Sequence, residues 1–224
     1  MDDDKPNRAQ RSAARADATR RRVLDAAERL LHQGRAEFSM RDLAAEAGVS
    51  FATPFNHFRS KTRIMQALSA ERIAAMTTRF DLAAPGGDAA DRVLAAVEIA
   101  AGVMLASPAV NRAVIGSLGA PGIEVGQALA QSRALWTRAI GSGDGFDPDL
   151  ADLAAAALPG QLALAFRGVL SFWTAGEIAD DALTPDPVKA AASLLLGFLP
   201  PERRQAILAV LRQVRSARAP YSAA

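Results

Sequence analysis

The chain has 224 residues, half of them apolar, no cysteine and a formal net charge of +2. That length suits one or two domains with a buried core. The lack of cysteine excludes disulfides, zinc–thiolate sites and a cysteine nucleophile, and it fits a reducing, cytoplasmic setting.

No run of about 18 apolar residues is present, so no membrane span is expected. The charged start, "MDDDKPNRAQRSAARADATRRR", lacks the apolar stretch of a secretory signal. Its "DDDK" resembles an engineered protease-site remnant, so residues 1–4 are set aside. The charge is unevenly spread. Residues 5–79 carry 15 Lys/Arg against 7 Asp/Glu, a balance of +8, whereas residues 80–224 carry 11 against 14. A basic first third on an acidic remainder suggests contact with a polyanion, although a solvated basic tail has the same signature.

Residues 1–18 read as a flexible basic arm. Val23, Ala27, Leu30 and Leu31 recur at helical spacing opposite Arg22, Asp25, Glu28 and Arg29, which predicts a helix over 19–33 that Gly34 ends. Ser39 and Asp42 have capping-box spacing and open a second helix, which runs to about Ala47 and breaks at Gly48. A short third helix falls within 50–58. Ser60 begins a fourth, with Ile64, Leu68 and Met76 on one side, reaching about Leu82. "APGGD" at 84–88 is a turn and the best domain boundary. Beyond it, helices are expected near 88–106, 108–118, 122–141, 148–176, 186–199 and 202–217. Pro159 and Gly160 predict a kink or a break in the long one. The fold class is therefore all-α, with an N-terminal helix-turn-helix domain over 19–83 and a larger helical domain over 84–224.

The second and third helices have helix-turn-helix spacing over 39–58. Leu43, Ala44, Ala47 and Val49 supply a small shared core. The small residue at 44 lets the helices approach, and Gly48 can take the positive φ of a tight turn. At this point "RRVLDAAERLLHQG … FSMRDLAAEAGVSFATPFNHFRSKTRIMQAL" resembles the DNA-binding domain of the tetracycline-repressor (TetR) family. Gly48-Val49-Ser50, Thr53, an aromatic at 55, His57-Phe58 and Ser60-Lys61 carry the likeness.

The resemblance implies a homodimeric, all-helical transcription factor, most often a repressor. A small, largely apolar ligand bound in the C-terminal domain would release it from a palindromic operator. It also implies that the start of the third helix meets the major groove. The reading surface would comprise Ser50, Phe51, Ala52, Thr53, Phe55, Asn56 and His57. Lys61 and Arg20 would bind phosphates, and Arg41 phosphate or guanine. Two departures stand out. Phe55 replaces the family's usual tyrosine and loses its hydroxyl, and Pro54 replaces an aliphatic. Proline suits the first helical position, so the regular part of the third helix is expected to start near Thr53, after a turn over 50–52. Phe58 reads as core, Phe55 equally as DNA-facing or packed, His57 as a capping or packing residue rather than a metal ligand, and His32 as a helix C-terminal residue.

In the larger domain, apolar pocket candidates are Met104, Trp136, Phe166, Phe172 and Trp173. The polar candidates are Asn111, Arg133, Gln161 and Arg167. For each apolar candidate taken singly, plain core is the stronger reading. Arg167 lies in the apolar run "LALAFRGVLSFW" and needs a carboxylate, for which Asp152 or Glu177 is preferred over a bound acid. The helix at 186–199 and the second half of the long helix are expected to form an isologous four-helix dimer interface. "FRGVLSFWTAGEIADDAL", followed by a helix ending "GFLPPE", looks like the family's last two dimer-forming helices. No cofactor or metal is expected. Two other classes remain open: a helical adaptor that lost DNA binding, and a helical enzyme. Nothing in the sequence supports the enzyme, because "GSGDG" at 141–145 is neither a nucleophile elbow nor a phosphate loop.

Overall fold

The computed structural model describes residues 8–118 and 127–216. Among the described residues the secondary structure is helical throughout, with no strand, as the composition required. The chain divides into two compact units, residues 1–68 and 69–224. This division falls inside a helix rather than at the "APGGD" turn, because Met76 and Phe80 of that helix belong to the core of the second unit.

The first unit is built on α1 (Arg8–His32), α2 (Met40–Ala47), α3 (Ala52–Phe58) and the first two turns of α4 (Lys61–Ala83). α1 buries Val23, Leu24, Ala26, Ala27, Leu30 and Leu31, the face that the spacing predicted. It also continues back to Arg8, through residues expected as an arm. Alanine and arginine are strong helix formers, and residues 8–18 stay exposed along this extension. Gly34 ends α1 at φ 73°, with His32 in the last turn.

α2 opens with the expected capping box. The Ser39 hydroxyl accepts from the Asp42 N–H at 3.2 Å, and the Asp42 carboxylate accepts from the Ser39 N–H at 2.8 Å. The Ser39 N–H, together with the Ser39 hydroxyl, which also donates to that carboxylate at 2.8 Å, holds the Asp42 carboxyl below its ordinary value. Gly48 closes the helix in the left-handed region at φ 62°. Leu43, Ala44, Phe58, Ile64, Met65 and Leu68 form the unit's core.

α3 starts late, within one residue of the expected Thr53, but with a different cap. It begins at Ala52, and Phe51 already has helical dihedrals, so Thr53 is not the cap and Pro54 is the third helical residue. The reason lies in the missing proline N–H. In an unbroken helix, residue 54 would donate to the Ser50 carbonyl. Here Thr53 donates to it instead, at 2.9 Å, in a tighter turn. Proline is tolerated because the first helical N–H groups lack intrahelical partners anyway.

The second unit contains the rest of α4 with α5 (Ala89–Leu105), α6 (Pro108–Ser117), α7 (Ala128–Ile140), α8 (Ala151–Thr174), α9 (Pro185–Leu195) and α10 (Pro201–Ser216). Single 3-10 turns lie at Asp180–Ala182 and Leu196–Phe198. The α7 helix was expected from 122, and residues 122–126 lie outside the described residues. α8 packs on α6, α7 and α9. Pro159 sits inside it without breaking it. Pro159 and its neighbour Leu158 are buried, so packing outweighs the one backbone bond proline removes.

By length and composition alone α8 is also long and apolar enough to cross a membrane. Its Leu158, Leu162, Phe166, Leu170 and Trp173 are packed into the unit's core, which accounts for the apolarity.

Two arginine clamps tie distant segments of this unit. Arg92 reaches the Ala139 and Ile140 carbonyls and pairs with Asp144 at 2.6 Å. Arg203, at the start of α10, binds Asp88 and Asp91 at the start of α5. The Arg203 hydrogen bonds hold the Asp88 carboxyl low, and Arg92 does the same to Asp144.

Candidate nucleic-acid interface and ligand cavity

In the first unit the turn between α2 and α3 is held from outside by arginines of α1. The last carbonyls of a helix lack partners and carry partial negative charge, so they attract cations. Arg22 donates to the Ala47 and Gly48 carbonyls at 3.0 and 3.1 Å. Arg29 pairs with Glu46 at 2.7 Å and donates to the Glu46 carbonyl. The spacing places Arg22 on the polar face of the first helix and gives it no further partner. Its guanidinium is committed to the turn instead. Sequence spacing had no signal for these clamps, because each joins residues 17 or more apart.

The clamped turn presents α3 with a mixed surface. Ser50, Phe51, Ala52, Phe55 and Asn56 are exposed, and Thr53 and His57 are half-buried. Phe51 and Phe55 keep 54% and 39% of their surface in solvent. Their rings meet edge to face at 5.2 Å. Both rings are therefore outward-facing and packed on each other. The Arg41 guanidinium lies 5.8 Å from the Phe51 ring centre, and the Ser50 and Thr53 hydroxyls hydrogen-bond at 2.8 Å. Phe58 is core, as expected, with Arg20 over its ring at 5.0 Å. His57 packs against Phe58 at 6.4 Å.

Lys61 is placed differently from the phosphate-binding role its position implied. Its ammonium donates to the Ala36 carbonyl at 2.6 Å, sits 3.6 Å from Glu37 and lies over the Phe38 ring. It tethers the α1–α2 loop. At Arg59 the chain takes φ 63°, so a non-glycine residue ends α3 in the left-handed region, which sequence reasoning missed.

In the second unit a cavity of about 270 Å³ opens between α4, α5, α6, α7 and α8. That is close to the lower end of the roughly 300–1,000 Å³ typical of ligand pockets. Among the predicted residues, Met104, Trp136, Phe166 and Arg167 line it. Trp136 and Phe166 meet edge to face at 5.7 Å, and the Trp136 indole donates to Ser132 at 3.1 Å.

The other candidates do not line this cavity. Trp173 is fully buried in the core and donates to Asp180 at 2.7 Å, with Arg112 stacked on its ring. Phe172, Arg133 and Gln161 point outward. Asn111 is buried behind the wall. It donates to the Val103 and Met104 carbonyls and accepts from the lining residue Arg72 at 2.8 Å. Phe172 and Trp173 are adjacent on one helix, so their side chains cannot share a face.

Sequence reasoning missed Ser69, Arg72 and Ser132 on the lining. None of them interrupts the pattern of its helix. Arg167 donates to the Ile115 carbonyl at 3.2 Å. Neither Asp152 nor Glu177 pairs with it, so the preferred internal ion pair is not formed; both carboxylates are exposed.

Residues 23–68 match the family model described as bacterial regulatory proteins, tetR family. Over that segment the chain is similar to the TetR family. Solved TetR-fold structures extend the likeness beyond the matched segment. A TetR transcriptional regulator from Rhodococcus sp. RHA1 gives a TM-score of 0.64 at 23% identity, covering 82% of this chain and 97% of that one. A gamma-butyrolactone receptor described as ArpA-like gives 0.54 at 17%, covering 91% and 100%. CprB, a TetR-family protein from S. coelicolor A3(2), gives 0.53 at 18%, covering 90% and 100%. At these identities the likeness is one of fold. No curated protein matches the chain.

Proposed function

We propose that this protein is a homodimeric repressor of the TetR kind that leaves a palindromic operator when a small, largely apolar ligand occupies the cavity of its second unit. The exposed, arginine-clamped start of α3 in a strongly basic unit carries the reading. Arg41, Ser50, Phe51, Ala52, Thr53, Phe55 and Asn56 form the reading surface. Thr53 and Asn56 can hydrogen-bond base edges, while Phe51, Ala52 and Phe55 suit thymine methyls. The exposed arginines of the α1 extension add salt-dependent backbone affinity.

Dimerisation is supported by an apolar stripe on α8. Leu153, Leu164 and Phe172 are each more than half exposed, and a two-fold interface would cover them. The dimer would set its recognition helices about 34–36 Å apart, one turn of B-DNA. A ligand preferring another dimer geometry would weaken DNA binding by its differential affinity for the two states. No catalytic role is proposed for any residue.

Electrophoretic mobility shift with DNA flanking the chain's own gene tests this. Tight, salt-sensitive binding of a two-fold-symmetric fragment is expected, weakened by roughly 10–100-fold when Thr53 and Asn56 are both replaced by alanine. Failure to bind any such fragment at low salt would overturn it.

A further inference from the structure

We infer that the cavity of the second unit binds an amphipathic organic acid, an apolar body ending in one carboxylate that seats on the Arg167 guanidinium. This deepens the proposed regulation and rests on the cavity being the effector site.

The inference starts from the chemistry of the walls. Two arginines, Arg72 and Arg167, and two serines, Ser69 and Ser132, are set among apolar side chains, and among the described residues no carboxylate lines the cavity. A cavity with cations and no anion selects against amines and favours an anionic group. Arg167 is half-buried, and its hydrogen bond is to a neutral carbonyl, that of Ile115. Burial pulls its pKa below the ordinary arginine value, the direction expected for a desolvated cation. A guanidinium has five N–H donors in a fork that matches a carboxylate. The one to Ile115 leaves the others for a ligand. No carboxylate pairs with Arg167 among the described residues.

Ser69 adds a hydroxyl. It is only 4% exposed and lies on the cavity wall. No buried side-chain polar atom among the described residues lacks a partner, and from the cavity wall the Ser69 hydroxyl can hydrogen-bond a ligand oxygen. The rest of the wall, including Met104, Trp136, Phe166 and Leu170, accepts hydrocarbon or an aromatic ring, so a small inorganic anion would leave most of it uncovered. A desolvated guanidinium costs folding energy that a bound carboxylate offsets, which links acid binding to stability of the folded state.

The test uses the full chain and matched probes: octanoate and 4-phenylbutanoate, with 1-octanol and 4-phenyl-1-butanol as neutral counterparts of the same skeletons. Binding is followed by thermal shift and by fluorescence of the cavity tryptophan. The acids should bind more tightly than the alcohols. In Arg167→Met the acids should weaken by roughly 10–100-fold, the range for losing a charge-assisted hydrogen bond, while the alcohols hold. Arg167→Lys should restore part of the loss, and Ser69→Ala should weaken the acids less. The ligand-free Tm of Arg167→Met should equal or exceed that of the parent, because no internal ion pair is broken. If that variant does not fold, the Arg167→Lys and Ser69→Ala series decides.

Acids binding no better than alcohols, neither acid binding at millimolar concentration, or an Arg167→Met variant that keeps its preference would each overturn the inference. Alcohols that release DNA as well as the acids would sink the acid and leave the proposed regulation standing. Acids that bind through Arg167 without affecting DNA would keep the acid site and sink the proposed regulation.

Discussion

The two units use arginine in opposite ways. In the first, Arg22 and Arg29 reach backbone carbonyls at the end of α2 and hold a turn whose aromatic face remains in solvent. In the second, Arg92 and Arg203 bind carboxylates and tie α5 to distant segments, while Arg167 carries its charge into an apolar cavity. The first unit has a small core, so polar clamps on orphan carbonyls contribute a large share of its local definition. The second is defined by a continuous apolar core, and its arginines are free to be spent on loop anchoring and on a site. A surface built to meet a polyanion needs a rigid backbone and exposed side chains. A cavity needs stable walls and a few aimed polar groups.

Substitutions can break that contrast. The largest effect is expected from Trp136→Ala, which removes a side chain 1% exposed that both fills the core and walls the cavity. A loss of about 3–5 kcal/mol is expected in urea unfolding, with the remaining tryptophan as reporter. A smaller loss would mean that the cavity wall is not continuous with the core.

Gly48→Ala addresses the first unit. A Cβ there would meet only the Arg22 guanidinium, at 3.5 Å, so there is room for it. The cost is therefore conformational, about 1–2 kcal/mol for a non-glycine residue in the left-handed region. Hydrogen exchange should show it as faster opening over 40–58. Unchanged exchange would mean that the arginine clamps, not the glycine, define the turn.

The smallest effect concerns acid. The Asp88 carboxyl is held below its ordinary value chiefly by hydrogen bonds from Arg203. Its contribution is therefore complete above about pH 4, the ordinary carboxylate value, and is lost as pH falls through the lower value of the folded chain. In Arg203→Leu the stability of the second unit should be lower at neutral pH, and its loss between pH 5 and 2 should be shallower than in the parent. Parallel acid limbs in the two proteins would remove Arg203 from the account. The same comparison with Arg92→Leu tests the second clamp through Asp144, which is also held low.

Much of the molecule was legible before any coordinates. The helical class, the capping box at Ser39 and Asp42, the left-handed turn at Gly48 and the buried face of α1 follow from local rules that act within one or two helical turns. The family likeness rested on the short stretch 20–70, within which the family model matches 23–68. What local pattern could not reach was partner choice. Lys61 stands where a phosphate ligand was expected, yet its ammonium has an orphan carbonyl within reach once α1 and α2 are packed. Arg167 sits in an apolar run that demanded a counter-ion. Asp152, in the first turn of α8, and Glu177, beyond its end, are both exposed and neither lines the cavity.

The start of α3 shows the division most closely. Its composition alone determined that a proline would disturb the first turn and that three phenylalanines would have to divide between core and surface. Tertiary packing decided how. Phe58 faces α1 and is buried, whereas Phe51 and Phe55 are left in solvent against each other, and Thr53 takes over the bond that Pro54 cannot make. Backbone chemistry is a property of residues a few places apart, so sequence carries it. Which face is buried, which charge finds a partner and which wall encloses a cavity depend on segments tens of residues apart, and only the folded chain brings those together.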